Sequence, residues 1–153
     1  MLKHVLVPLD GSKLAEEALE HAVNIICPDG KITLLSAVDV PEVPIYGYYP
    51  PATVPDYQST VEDLLPQAKN YLEQIAKGLE CPGIAVEIEV HIGEPSQVIA
   101  ETAVRLKVDA IVMSTHGRSG LSRWLFGSVT NKVLGTRCCP VFVIPSRQSE
   151  AKT

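Results

Sequence analysis

The chain has 153 residues, 46% of them hydrophobic and 20% charged, the balance of one globular domain with a single core. A formal net charge of −5 argues against a broad surface for nucleic acid or anionic membrane and leaves room only for a local basic site around Arg118 and Arg123. No apolar run is as long as a membrane-spanning helix, and the chain starts on a strand pattern rather than a signal peptide, so a cytoplasmic protein is expected.

The first expected strand, His4 to Leu9, is a near-continuous apolar run that ends in Asp10-Gly11-Ser12. Pro8 removes one ladder donor where that strand is ending. Ser12 has the chemistry of an N-cap. Leu14, Ala15, Ala18, Leu19, Ala22, Val23 and Ile26 recur at helical spacing, which predicts a helix over Lys13 to Ile26 closed by Pro28-Asp29-Gly30. A second strand follows over Lys31 to Val40. Pro41 to Pro55, rich in Pro and Tyr, has neither helical nor alternating period; so long an irregular stretch is either a functional loop or a surface insertion.

Helical periodicity returns from Ser59 to Leu79, with Pro66 expected to kink the helix or mark its late start, because it cannot donate to the carbonyl of residue 62. Ile84 to Ile92 alternates as A-V-E-I-E-V-H-I, the pattern of an edge strand with one wet face. Gly93-Glu94-Pro95-Ser96 reads as a turn into a helix over Gln97 to Lys107. Ala110 to Met113 is a short, uncharged run suited to a buried parallel strand. A helix from Ser128 to near Gly135 and an apolar strand, Pro140 to Pro145, complete a βαβαβαβαβ order. Strands alternating with helices imply a doubly wound, mostly parallel sheet with helices on both faces.

Cys27, Cys81, Cys138 and Cys139 have no metal-ligand spacing, and no metal site is expected. The adjacent Cys138-Cys139 pair reads as small packing residues, with a vicinal disulfide as the minor alternative.

The chemistry concentrates after the Ala110 to Met113 strand, where Ser114-Thr115-His116-Gly117 leads past Arg118, Ser119, Gly120 and Arg123 to Gly127-Ser128. Backbone N–H groups from a glycine-permitted turn and from a helix start can together hold an anion, so this segment outlines a phosphate site. Nine residues separate Gly117 from Gly127, and Ser114 lies three residues before Gly117. His116 reads as a hinge or hydrogen-bonding residue rather than a catalyst, and Trp124, Leu125 and Phe126 as an apolar cluster packed beneath the loop. No catalytic residue is assigned.

This spacing resembles the G-x2-G-x9-G-[ST] signature of the ATP-binding universal stress proteins, with Ser114 standing where that family's first glycine usually sits. The likeness extends along the chain through V-L-V-P-L-D-G-S at the start, I-G-E-P at Ile92 to Pro95, V-D-A-I-V-M at Val108 to Met113 and C-P-V-F-V-I at Cys139 to Ile144. It implies a five-stranded sheet of order 3-2-1-4-5 of the adenine nucleotide alpha hydrolase-like kind, formed by residues 1–146 ahead of a polar tail, 147–153. It further implies a crevice in which Pro8, Leu9 and Asp10 face Met113, Ser114, His116 and Gly117.

On the same resemblance Asp10 lies near a ribose. Ala37 and Val38 flank an adenine with Met113 against its face, and Gly117, Arg118, Ser119, Gly127, Ser128, Val129 and Thr130 hold the phosphates of ATP, with Mg²⁺. The last strand, through Val141, Phe142, Val143 and Ile144, is expected to pair with its copy in a homodimer. The function implied is a stress-response or signalling module controlled by nucleotide occupancy; the alternative is a slow ATPase or nucleotide-processing enzyme. A dedicated enzyme is disfavoured because neither a pyrophosphatase loop of the S-G-G-x-D-S type nor a Walker motif is present, and a flavin or dinucleotide binder because G-x-G-x-x-G is absent.

Overall fold

Apolar runs and helical stripes alternate in the sequence, and strands and helices alternate in the computed structural model, which describes residues 1–39, 57–79, 81–115 and 127–145. In chain order they are β1 (Leu2–Pro8), α1 (Lys13–Ile25), β2 (Ile26–Val38), α2 (Tyr57–Gly78), β3 (Ala85–Ile92), α3 (Pro95–Leu106), β4 (Ala110–Thr115), α4 (Ser128–Thr136) and β5 (Val141–Pro145). The five strands form one sheet in the order β3-β2-β1-β4-β5, and every pairing is parallel.

Alternation along the central strands sends side chains to two cores. On one face Val5 and Val7 of β1, Ile32 and Leu34 of β2 and Val112 of β4 meet Ala15, Ala18, Leu19 and Ala22 of α1 and Leu72 of α2. The small alanines let α1 lie close against the sheet. On the other face Leu6, Leu35, Ile111 and Met113 meet Val98, Ile99 and Ala103 of α3 and Val133 of α4. Leu6, Ile32, Leu34, Leu35, Leu72 and Ile111 are fully buried; truncating any one to Ala costs about 2–5 kcal/mol, the transfer term plus the cavity left behind.

Local signals explain most element ends. Ser12 caps α1, its Oγ accepting from Ala15 N–H at 3.1 Å. Lys107, in the left-handed conformation, closes α3, its N–H donating to the Ala103 and Val104 carbonyls. β3 is an edge strand, as its alternation indicates.

Several boundaries differ from the sequence reading. α1 stops at Ile25, and Pro28-Asp29-Gly30 lies inside β2 rather than closing the helix. Ile26 is buried and pairs with Leu2, after which β2 uses the positions from Ile26 to Lys31 where β1 uses only Leu2 to His4. The looped-out residues fit because a Cβ at Gly30 would lie 2.5 Å from Ile26 Cγ1, a space only glycine leaves open. At its other end β2 finishes at Val38. Pro95 and Ser96 belong to α3, not to a turn before it: Glu94 is the N-cap, and proline at the first helical position loses no hydrogen bond the helix needs. α2 runs unbroken from Tyr57 through Pro66, so the proline marks no late start. β4 continues through Ser114 and Thr115, which pair with Ile144 and Pro145. The Pro41 to Pro55 stretch and the polar tail fall outside the described residues.

Candidate functional site

β1 and β4 are neighbours, but the chain leaves β1 through α1 toward β2 and leaves β4 through α4 toward β5. Connections that depart in opposite directions, over opposite faces, part at the carboxyl ends of these two strands and open a crevice there. A cavity of about 360 Å³ occupies it, within the ~300–1,000 Å³ range of small-molecule sites.

The cavity is lined from β1 and its turn by Pro8, Leu9 and Asp10, from β2 by Leu35 and Ala37, and from β4 by Met113 and Ser114. Gly127, Ser128, Val129 and Thr130 line it from the start of α4, Ala15 from α1, and Pro95 and Ile99 from α3. Of the residues singled out in the sequence, Pro8, Leu9, Asp10, Ala37, Met113, Ser114 and Gly127 to Thr130 are thus brought together. Val38 is not: it is buried one residue further along β2 and does not line the cavity. His116, Gly117, Arg118 and Ser119 lie outside the described residues, as do Trp124, Leu125 and Phe126.

The walls are apolar and the polar groups few. Leu9, Leu35, Ile99 and Met113 are buried or nearly so. Asp10 is exposed at the mouth, its Oδ1 accepting from Ser12 N–H at 2.9 Å and from Ser12 Oγ–H at 2.6 Å. Ser114 sits in extended backbone within β4, so the position asks for no glycine-only conformation, and serine there is compatible with the strand. At α4 the Asn131 N–H donates to the Gly127 carbonyl at 2.9 Å, and Gly127 supplies no side-chain cap. The N–H groups of the first turn, Ser128 to Thr130, are therefore presented toward the cavity with the positive end of the helix dipole.

The two helices that wall this side are tied to each other. Glu94 accepts from Ser96 Oγ–H and Gln97 N–H at the start of α3, and its other oxygen accepts from Lys132 Nζ of α4 at 3.0 Å. The Ser96 hydroxyl, then Lys132 and the Gln97 amide, hold the Glu94 carboxyl down at about 2. The carboxylate is thus charged across the physiological range.

Sequence reading missed Ala15, Leu35, Pro95 and Ile99. Pro95 had a signal in the Gly93-Glu94-Pro95 run that opens α3. Leu35 becomes visible only through its register opposite Pro8. At the opposite end of the sheet Cys138 and Cys139 are free thiols, half-buried, with their Sγ atoms 3.9 Å apart.

A doubly wound parallel sheet with an apolar crevice, a helix start and one carboxylate at its switch point defines the class of small-ligand-binding α/β proteins. Within that class the chain belongs to the universal stress protein family, whose family model matches residues 1–145. It is 34% identical over 151 residues to Universal stress protein MJ0531 of Methanocaldococcus jannaschii, a match covering 98% of this chain and 86% of that one. The solved structure of MJ0577, from the same organism, superposes with a TM-score of 0.77 at 30% identity over 96% of this chain and 98% of the other. A universal stress protein family member from Arabidopsis thaliana, solved with AMP bound, shares the fold at a TM-score of 0.66 and 21% identity, over 99% of this chain and 96% of that one.

Proposed function

We propose that this protein binds ATP in the β1–β4 crevice and uses its occupancy as a signal to partner proteins in a stress response. The observation that carries the reading is the union of three features in one cavity: an apolar slot of nucleoside size, the Asp10 carboxylate at its mouth and the uncapped first turn of α4. The adenine lies against Met113 and Ala37. Asp10 accepts from the ribose hydroxyls, for which a carboxylate has the right pair of lone-pair sites. The phosphates run toward Ser128 to Thr130 and onward to the segment of Gly117, Arg118 and Ser119, with Mg²⁺ offsetting their charge. AMP in the Arabidopsis relative supports an adenine nucleotide as the ligand class.

Among the described residues the crevice presents no group placed as a general base, Asp10 being assigned to the ribose, and ground-state binding without extra transition-state contacts leaves hydrolysis slow. Ligand released by denaturing gently purified protein should be stoichiometric ATP or ADP by mass spectrometry. Protein that retains no adenine nucleotide and binds no ATP in calorimetry would overturn the reading.

The same proposal includes a homodimer through β5, an apolar strand at the sheet's edge whose Phe142 is 42% exposed. Because the Pro140 carbonyl accepts from Ile111 N–H, and backbone groups alternate sides along a strand, Val141 and Val143 direct their N–H groups outward. Val143→Pro should therefore weaken the dimer at least about tenfold by light scattering while leaving the β4–β5 ladder intact.

A further inference from the structure

We infer that Tyr71 is a positioning residue for the nucleotide site, holding from α2 the turn after β1 that carries Asp10; the inference rests on the nucleotide binding proposed above. The turn is one hydrogen-bonded unit. Asp10 Oδ1 accepts from both the N–H and the hydroxyl of Ser12, and Ser12 Oγ in turn accepts from Ala15 N–H at the start of α1. Between Asp10 and Ser12, Gly11 is in the left-handed region at a φ of +83°, and nothing lies within 4 Å of where its Cβ would be. The hydrogen bonds of Asp10 and Ser12 tie the turn to the start of α1.

Tyr71 supplies the brace from outside the turn. Its hydroxyl donates to Glu16 Oε1 at 3.2 Å, and the Glu16 N–H donates to the Ser12 carbonyl at 3.3 Å, so the brace reaches the turn through the start of α1. Glu16 is itself held by Lys13 Nζ on its second oxygen at 2.8 Å. The phenol thus ties α2 to the first turn of α1, whose N-cap Ser12 holds the Asp10 carboxylate. The ring is half-buried against the core beside the fully buried Leu72, so α2 fixes where the hydroxyl sits. Burial, and then the Glu16 carboxylate beside it, push the phenol's pKa up, so it stays a donor across the physiological range. Placement of α2 is thereby coupled to placement of the carboxylate at the cavity mouth, 61 positions earlier in the chain.

A carboxylate set loose by loss of this brace should forfeit only what it contributes to ligand binding. Tyr71→Phe keeps the ring and removes the hydroxyl. Calorimetric titration of the full chain with ATP and with 2′,3′-dideoxy-ATP separates the roles, because the second ligand lacks the ribose hydroxyls. We expect about a three- to tenfold loss of ATP affinity, the net scale of one ordinary hydrogen bond, and little change for the dideoxy nucleotide. In an Asp10→Asn background Tyr71→Phe should add little further loss, since the residue it positions is already altered. Equal loss for both nucleotides, or no loss for ATP, would overturn the inference while leaving nucleotide binding standing. A wild-type protein that fails to bind ATP would remove the nucleotide reading itself, and this inference with it.

Discussion

The two ends of the sheet are built for opposite purposes. At the amino end, backbone groups are tied off: Asp109 accepts from Lys3 N–H at 2.7 Å and His4 N–H at 2.8 Å, its own N–H donates to the His4 carbonyl, and Ile111 N–H donates to the Pro140 carbonyl. At the carboxyl end, β1 stops at a proline, α4 begins without a side-chain cap, and an apolar cavity lies between them. Closure at one end, where the starts of β1, β4 and β5 are tied to one another, anchors the sheet that holds the other end apart. A binding site of this kind is a place where the fold leaves groups available, and the neighbouring end shows what the same backbone does when it has no such task.

Three measurements bear on that contrast. The largest effect is expected at Cys139, whose thiol is pushed up to about 11 by burial and by the neighbouring Cys138. Against an unfolded value of ~8.5, alkylation of Cys139 at pH 8 should be about a hundredfold slower in the folded protein than in urea, when followed by peptide mass spectrometry. Equal rates in the two states would show that the amino end is open.

Next in size is Gly127→Val. Gly127 has a φ of −57°, a conformation valine also adopts, so the variant should fold with a Tm close to that of the wild type. Its branched side chain would enter the path proposed for the phosphates at α4, and on that proposal ATP affinity should fall at least about tenfold by calorimetry. Unchanged affinity in the folded variant would sink the assignment of this end.

The smallest effect is expected from Asp109→Asn at the amino end, which should lower Tm at neutral pH without changing ATP affinity. Hydrogen bonds from the backbone amides of His4 and Lys3 hold the Asp109 carboxyl below its ordinary range. A depressed folded pKa means that this contribution is present above the unfolded value of ~3.9 and is lost as pH falls through the lower folded one. The Tm difference between wild type and variant should therefore close on acidification. A gap that persists in acid would assign the effect to packing rather than to charge.

By itself the sequence determined the element order, the Ser12 cap, the edge position of β3 and the residues that end β1 and begin α4. Each of these depends on neighbours within a few positions, where apolar period, capping chemistry and glycine or proline leave a local mark. The same local reasoning placed Pro28-Asp29-Gly30 in a turn and Ser96 outside a helix. The second was reversed by a local cap, Glu94 accepting from Gln97 N–H with Pro95 at the first helical position, and the first by a contact distant in sequence, Ile26 pairing with Leu2 across the sheet. Leu35, Ala15 and Ile99 came to the crevice for the same reason, since an apolar residue in a strand or helix looks the same whether it faces a core or a cavity. Val38, one residue past Ala37, was turned away by the alternation of β2 that the register to β1 sets in space. Tyr71 carried no signal at all in the sequence. Only the packing of α2 brought its hydroxyl to Glu16 of α1, because a residue's partners across a fold are set by topology and register, which no short window of sequence contains.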